Sequence, residues 1–513
     1  MNEDQIGNSM TTQFSKRVIG YLPAIILPPL LVIWLFYMIS ESPPRWDDKQ
    51  NIIYGYNLFH HGSYSLSTKV DSILRPSNYR EPLYPLSIAG TFIFSRELRD
   101  ASFQDVITMG RMQLLLKYVN VFWAAMLFAG YTCVYFSLMR SRTLFLISCF
   151  LLFLCHITSV SIFDRLYAEM MVSAIMLWVT YLSVLCQAKR RSYLLWSVLG
   201  IFLGLLSLTR AVFLYIAFPY VLVFAILVFW KSFTKRDVFY PAVCMVGALA
   251  TVMPWMIRNQ VYLDDFSIAL RGGQVLHVRA TKNSMDRNEF WGSFYVYSPP
   301  DIREAVGHVL GFGKKDLQKH GRLRRLNRYA SDFYEEDIAA VKNAMPSEAV
   351  SFIRKSIAEY ERLKREYKEA GVVSYEQEAG KAIQKEALEI IAAHPLKHIV
   401  MCIPFFYRGI GQITGHTFLD RLAIPLPWFR PLLKLALYLS LFCTLALEVI
   451  RRKINITPPM ILPLSTIAFY VLLTHNMPRY TEVLMPYFVL CASFLVAQSA
   501  SGIRSRFHRP RGD

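Results

Sequence analysis

Two adjacent carboxylates, Asp47-Asp48, stand in the run Arg45-Trp46-Asp47-Asp48-Lys49-Gln50, just past the first long apolar stretch. Acids beside a membrane surface are expensive to keep unless they face water, a cation or a substrate. Ionisable residues recur at the ends of later apolar runs. They are Asp164, Arg165 and Glu169, then Arg210, then Arg258, then His475, Arg479 and Glu482. Carboxylates gathered in one cavity can serve as a general base or hold a divalent cation. Arginines around them can grip a phosphate through forked, charge-assisted hydrogen bonds.

Each of these residues also has a plainer role. The acidic pair also has a plainer reading as a solvated loop pair, and Glu169 as the partner of Arg165 four residues earlier on one helix face. Asp164 reads as a loop residue. Arg210, Arg258 and Arg479 read as interfacial arginines that snorkel toward water. His60-His61 before Gly62 reads as a turn, with only a weak hint of metal. What favours chemistry is the shared location of the set, on one side of the membrane.

That side follows from the elements between them. The chain has 513 residues, 54% of them hydrophobic, and a mean hydropathy of +0.30. Soluble domains carry fewer apolar residues and lack apolar runs of about 20 residues. Such runs occur here near 18–39, 112–138, 143–162, 167–186, 192–208, 211–230, 238–257, 431–450, 457–475 and 482–500. The reading is a mainly α, polytopic transmembrane bundle of about ten spans with a largely helical extracytoplasmic domain. The first run reads as a retained signal anchor, since it is too long for a cleaved hydrophobic region.

The net charge of +19 points at first to nucleic acid, but its placement excludes that. Lys16-Arg17, Arg140 with Arg142, Lys189-Arg190-Arg191, Lys231 with Lys235-Arg236, Arg451-Arg452-Lys453 and the arginines from Arg504 to Arg511 cluster between or beyond spans. All fall on one side if the N-terminus is cytoplasmic, which is the positive-inside bias. Two long segments then face outside, about 40–111 and 259–395. In the first, Leu83–Phe94 is too short to span and reads as interfacial. In the second, helices are expected after residue 330, one starting near Ser347 and stopping at Gly371, another over Tyr375–Ala393. Segment 396–415 reads as a lateral or re-entrant helix. None of the eight cysteines lies in these two segments, so no structural disulfide is expected. The domain reading is a catalytic membrane module over 1–258, an external helical domain over 259–430, and C-terminal spans with a basic tail over 431–513.

The ordered set of motifs resembles the C-type integral-membrane glycosyltransferases, in the branch that includes protein O-mannosyltransferases and lipid A aminoarabinose transferases. The residues that carry the resemblance are Asp47-Asp48, Asn57-Leu58, Gly62 and Arg80-Glu81-Pro82-Leu83-Tyr84-Pro85. They continue with Glu169, Leu208-Thr209-Arg210, Pro254-Trp255-Met256-Ile257-Arg258-Asn259 and Arg479-Tyr480 before Pro486. The second acid is often Glu in that family and is Asp here, and 260–430 matches nothing in it.

The resemblance implies an enzyme that moves a sugar, with inversion, from a polyprenyl-phosphate donor to an acceptor hydroxyl outside the cytoplasm. The acceptor would be a glycan, a lipid or a protein. By analogy Asp47 is the general base. Asp48 and Glu169 orient the acceptor or, with Asp47, hold a divalent cation. Arg80, Arg210, Arg258 and Arg479 hold the leaving phosphate, and Tyr84, His475 and Tyr480 line the substrate. The implied location is a bacterial inner membrane, with the site facing the periplasm. The single Asn-X-Ser/Thr site, Asn455-Ile456-Thr457, falls in a cytoplasmic loop and gives no support for glycosylation of this chain.

Three other functions fit part of the pattern. A transporter or flippase of a lipid-linked glycan would place its ionisable residues near mid-membrane and show repeats or broken helices. A polymerase or ligase using a lipid-diphosphate oligosaccharide would share the external chemistry. A scaffold would leave the acids and arginines unexplained.

Overall fold

A computed structural model describes residues 23–68, 74–157, 160–230, 232–411, 429–451 and 457–507. It is mainly helical, with no strand among the described residues. Lys16-Arg17, Arg452-Lys453, Asn455 and Arg509 lie outside the described residues, as do the start of the first apolar run and the end of 396–415.

A helix occupies every one of the ten apolar runs. Five are long and apolar enough to cross a membrane: Gly110–Leu138, Glu169–Ala188, Val212–Phe229, Lys235–Leu263 and Leu432–Arg451. The other five, Pro23–Met38, Arg142–His156, Tyr193–Thr209, Met460–Leu473 and Met485–Ala500, are shorter. Among the described residues these apolar stretches cover 14–17 residues, although the last of them belongs to a 23-residue helix, Met485–Phe507. A sixth crossing arises if Tyr375–Ala393 and Pro395–Gly409 are taken together, though they bend by 99° at His394-Pro395. Proline disfavours helical geometry in the residue before it, which explains a break at that dipeptide.

Small residues set the tightest helix crossing. Tyr193–Thr209 packs on Phe239–Leu263 through Gly200, Gly204 and Gly247. A Cβ on Gly200 would stand 2.0 Å from the Cys244 carbonyl oxygen, and one on Gly247 would stand 2.8 Å from that of Ser197. Backbone approaches this close are the usual means by which apolar helices associate where no hydrophobic drive separates them from lipid.

Asp164 lies in a loop, as expected, between Val160–Phe163 and Glu169–Ala188, and it is buried there as an anchor. Its carboxylate accepts from Lys117 Nζ at 3.0 Å, from the Ser40 amide at 2.9 Å and from Ser40 Oγ at 2.6 Å. Lys117 Nζ also donates to the Ser40 carbonyl at 2.8 Å. The segment leading into Asp47 is thereby tied to the Gly110–Leu138 helix.

Helices also begin earlier in the second long segment than the sequence predicts, with Gly272–Thr281, Arg287–Tyr297 and Pro300–Leu310 preceding residue 330. The missed signals were an Asp286–Glu289 capping box and Gly311 at φ +72° ending its helix. Phe352–Glu369 starts later than expected because Ser351 Oγ, not Ser347, caps it through the Arg354 amide. Gly371, at φ +76°, follows its end, and Tyr375–Ala393 has the predicted bounds. Gly272–Thr281 lies against Tyr375–Ala393, where a Cβ on Gly273 would meet the Gly380 carbonyl at 2.6 Å.

Candidate functional site

The acidic pair opens the helix Trp46–His61, with Asp47 and Asp48 both in its first turn. Successive residues on a helix diverge by roughly 100°, so the two carboxyls cannot share a direction. Asp48 turns inward. It is 2% exposed, and its Oδ2 accepts from the Arg45 amide at 3.0 Å and lies 3.5 Å from Arg165 Nη1. Burial pushes the Asp48 carboxyl up to about 6, against the opposing pull of the Arg45 amide and Arg165. This residue caps and locks the helix, and it does not line the cavity that its neighbour borders.

Asp47 faces that cavity, a space of about 480 Å³. Three guanidinium groups converge on its carboxylate. Arg80 donates to Oδ1, Arg271 Nη1 stands 3.5 Å from the same oxygen, and Arg479 Nη2 donates to Oδ2 at 2.9 Å. Burial raises the Asp47 pKa, but Arg80, Arg271 and Arg479 outweigh it and hold the group well below the usual carboxylate range. Arg80 is itself aimed by Gln50, whose Oε1 accepts from Nε at 2.7 Å.

Glu169 forms the second acidic focus. It opens the helix Glu169–Ala188, where the macrodipole favours a carboxylate. Its Oε1 accepts from Arg210 Nη2 at 2.5 Å and lies 3.7 Å from Arg479 Nε. The pairing with Arg165 read from the sequence does not form, because Arg165 donates to the Pro43 carbonyl and sits by Asp48. Arg210 also donates to the Tyr470 hydroxyl at 3.1 Å and lies 4.9 Å above the Tyr480 ring. It is thus turned into the cavity rather than out to the membrane surface. Arg479 touches both Asp47 and Glu169 and joins the two foci.

The remaining walls are mixed. Tyr84 borders the cavity, but its hydroxyl is spent on Asn120 Oδ1 at 2.9 Å. Tyr480 borders it with its ring. Apolar walls come from Val212, Leu214, Met256, Leu276, Phe469 and Leu473. One end of the space is therefore ionic, and much of the rest is lined by residues of apolar helices.

Besides Asp48, two predicted residues lie elsewhere. Arg258 is outside the cavity wall. It donates to the Tyr64 and Ser77 carbonyls, each at 3.2 Å, and stacks 4.9 Å from the Trp255 ring. It pins the loop that follows Trp46–His61. His475 is buried and stands edge-on to Tyr480 at 6.3 Å, also outside the cavity wall.

Three site residues escaped the sequence reading: Arg271, Tyr167 and Tyr470. Arg271 comes from the stretch that resembled nothing. The available signal was its place before Gly272-Gly273, which let the Gly272–Thr281 helix pack close enough to aim it at Asp47. Tyr167 offers its ring to Arg479 at 5.0 Å.

The three acids named as a metal set do not gather. Asp48 points away, while Asp47 and Glu169 are separated by Arg479. Among the described residues no three His, Cys, Asp or Glu side chains are placed to hold an ion. His60 and His61 end their helix before Gly62 at φ +61°, and His60 stacks on Tyr56 at 4.2 Å, in keeping with a turn. No protein family matches this chain, and neither does any curated protein.

Proposed function

We propose that this chain transfers a sugar from a polyprenyl-phosphate donor to an acceptor hydroxyl, with Asp47 as the general base. The observation that carries the reading is the convergence of Arg80, Arg271 and Arg479 on Asp47, at the ionic end of a cavity with apolar walls. Such a space suits a ligand that joins an anionic head to a hydrocarbon tail. The ion-paired set holds four guanidiniums, Arg80, Arg210, Arg271 and Arg479, against two carboxylates, Asp47 and Glu169. With Lys381, Glu81 and Asp265, which line the same cavity, a surplus of one positive charge remains. A polyprenyl-phosphate leaving group departs with more negative charge than the donor carried, so fixed cations there favour the transition state over the bound donor.

The step is a single displacement. The acceptor oxygen forms a bond to the anomeric carbon while the bond from that carbon to the phosphate oxygen breaks, and the acceptor proton passes to Asp47. A carboxylate held by three arginines is a weak base. Donor phosphate competes for those arginines, and each one drawn away makes Asp47 more basic. Glu169 keeps Arg210 and Arg479 in place, and these guanidiniums supply the positive charge that a divalent cation would otherwise bring. Tyr84 and Tyr480 offer ring surface to the sugar. We place the protein in a bacterial inner membrane with ten spans, a cytoplasmic N-terminus, the 259–430 domain outside and the cavity facing the periplasm. The one-sided basic loops support this arrangement.

The test is Asp47→Asn in purified protein, given a labelled polyprenyl-phosphate sugar. Turnover falls by about 10²- to 10⁴-fold, while binding of polyprenyl phosphate persists. In cells one polyprenyl-phosphate sugar accumulates, and lipid mass spectrometry identifies the donor. Wild-type turnover in the variant removes Asp47 as the base. An unchanged lipid profile, with the variant protein present in the membrane, favours a transporter or flippase.

A further inference from the structure

A second group of cations gathers around the rings of Tyr297 and Phe405, outside the lining of the Asp47 cavity. Lys282 is 3% exposed, and among the described residues it forms no ion pair. Its Nζ reaches only the Tyr297 hydroxyl, at a long 3.4 Å, and the ring faces of Phe405 at 4.9 Å and Tyr297 at 5.9 Å. Arg408 covers the same Tyr297 ring at 4.7 Å, and Arg279 covers Phe405 at 4.6 Å. Arg328 adds a fourth charge that acts on both Lys282 and Arg408. Glu289, the acid that bears on Tyr297, is already held by Arg325 at 2.5 Å.

Arg279 has its donors satisfied by neutral groups, namely the His398 and Val471 carbonyls and Asn283 Oδ1. Its role is structural, though its charge stays unbalanced. The others have donors to spare. Arg408 gives Nη1 to the His475 carbonyl at 2.9 Å, but its Nε is buried without a partner, as is His475 Nδ1. Uncompensated buried cations are strongly unfavourable, and guanidinium cannot shed its proton. Burial, together with Arg408, Arg279 and Arg328, drives the Lys282 ammonium well below its ordinary range, so the cluster carries positive charge that no neighbouring acid among the described residues balances. Arg408 and Arg328 are only half-buried.

We infer that Lys282, Arg408 and Arg328, beside His475 and Tyr297, form a second anion site that takes a phosphate-type oxyanion, separate from the cavity at Asp47. Several cations approaching from different directions match a tetrahedral oxyanion, whose oxygens accept from all of them. The inference does not depend on sugar transfer. The oxyanion is either a free phosphate or the phosphate of a lipid headgroup.

The test is thermal unfolding of the full-length protein in detergent with orthophosphate or pyrophosphate, against chloride at equal ionic strength. A parallel arm compares nanodiscs of phosphatidylcholine with nanodiscs containing phosphatidylglycerol. The expected result is a rise in unfolding temperature of about 2 °C or more with at least one probe, lost in Lys282→Met. A response to the inorganic ions assigns the site to a free phosphate or phosphomonoester, and one confined to phosphatidylglycerol assigns it to lipid. Arg408→Gln gives the same readout should Lys282→Met fail to accumulate. No rise with any probe, or an equal rise in the variants, overturns the site.

Discussion

The two adjacent acids show how one residue step on a helix separates two functions. Asp47 is exposed to three guanidiniums, while Asp48 is sealed behind it against the Arg45 amide. Their proton equilibria therefore move in opposite directions. The folded-state pKa of Asp47 is depressed, so its contribution to stability is present above its ordinary 3.8 and is lost as pH falls below it. That of Asp48 is raised from 3.8 to about 6, so folding favours its protonated form. Its contribution is present below about pH 4 and is lost as pH rises through about 6. The span of roughly two pH units corresponds to about 3 kcal/mol. Asp48→Asn should flatten the loss of stability between pH 4 and 7, as read by unfolding temperature. A variant with the wild-type slope would mean that Asp48 is not the titrating group. At the same scale, Arg271→Gln should weaken polyprenyl-phosphate binding by about tenfold or more, the worth of one charge-assisted hydrogen bond. Binding that is unchanged in Arg271→Gln would take that guanidinium out of the donor site.

Among the elements, the close crossing of Tyr193–Thr209 with Phe239–Leu263 has the least room for change. Arg210 ends the first of these helices, and Met256 and Arg258 ride on the second, so the crossing sets one wall of the cavity and the anchor of the neighbouring loop. Gly200→Val puts a branched side chain where the Cys244 carbonyl oxygen stands only 2.0 Å from the point its Cβ would occupy. The expected cost is about 1–3 kcal/mol, seen as a lower unfolding temperature and a smaller yield of monodisperse protein. Gly90, on the helix Leu83–Phe94, has nothing within 4 Å of the equivalent position. Gly90→Ala should therefore be neutral or stabilising by up to about 1 kcal/mol. Equal behaviour of the two variants would show that the crossing is not under steric control.

For the molecule as a whole, the decisive question is which side of the membrane the cavity faces. Among the described residues five helices are long and apolar enough to cross, or six with the bent pair. The ten-span arrangement assigns Glu389 to the outside and Lys189 to the cytoplasm, and both are surface-exposed. In a variant freed of reactive native thiols, Glu389→Cys should label with an impermeant maleimide in intact cells. Lys189→Cys should label only after permeabilisation. Labelling of both from one side would overturn the topology and, with it, the external placement of the site.

The class of molecule and most of the ingredients of the site were legible in the amino-acid order alone. Helical apolar runs are local properties of the chain, so their number and positions were readable from hydropathy, as were the Tyr375–Ala393 helix and the stop at Gly371. Acids and arginines at the ends of those runs singled out Asp47, Glu169, Arg210 and Arg479, and the family resemblance added Arg80; the structure brings all five to one cavity. Long-range packing settled the rest, because ion pairing depends on distances between segments far apart in the chain. It paired Arg165 with Asp48 and Arg210 with Glu169, buried Asp164 against Lys117, and turned Arg258 to two loop carbonyls. It also delivered Arg271 from a stretch without a recognisable motif. The same packing gathered Lys282, Arg408 and Arg328, three cations with no common pattern in sequence, around a shared pair of aromatic rings.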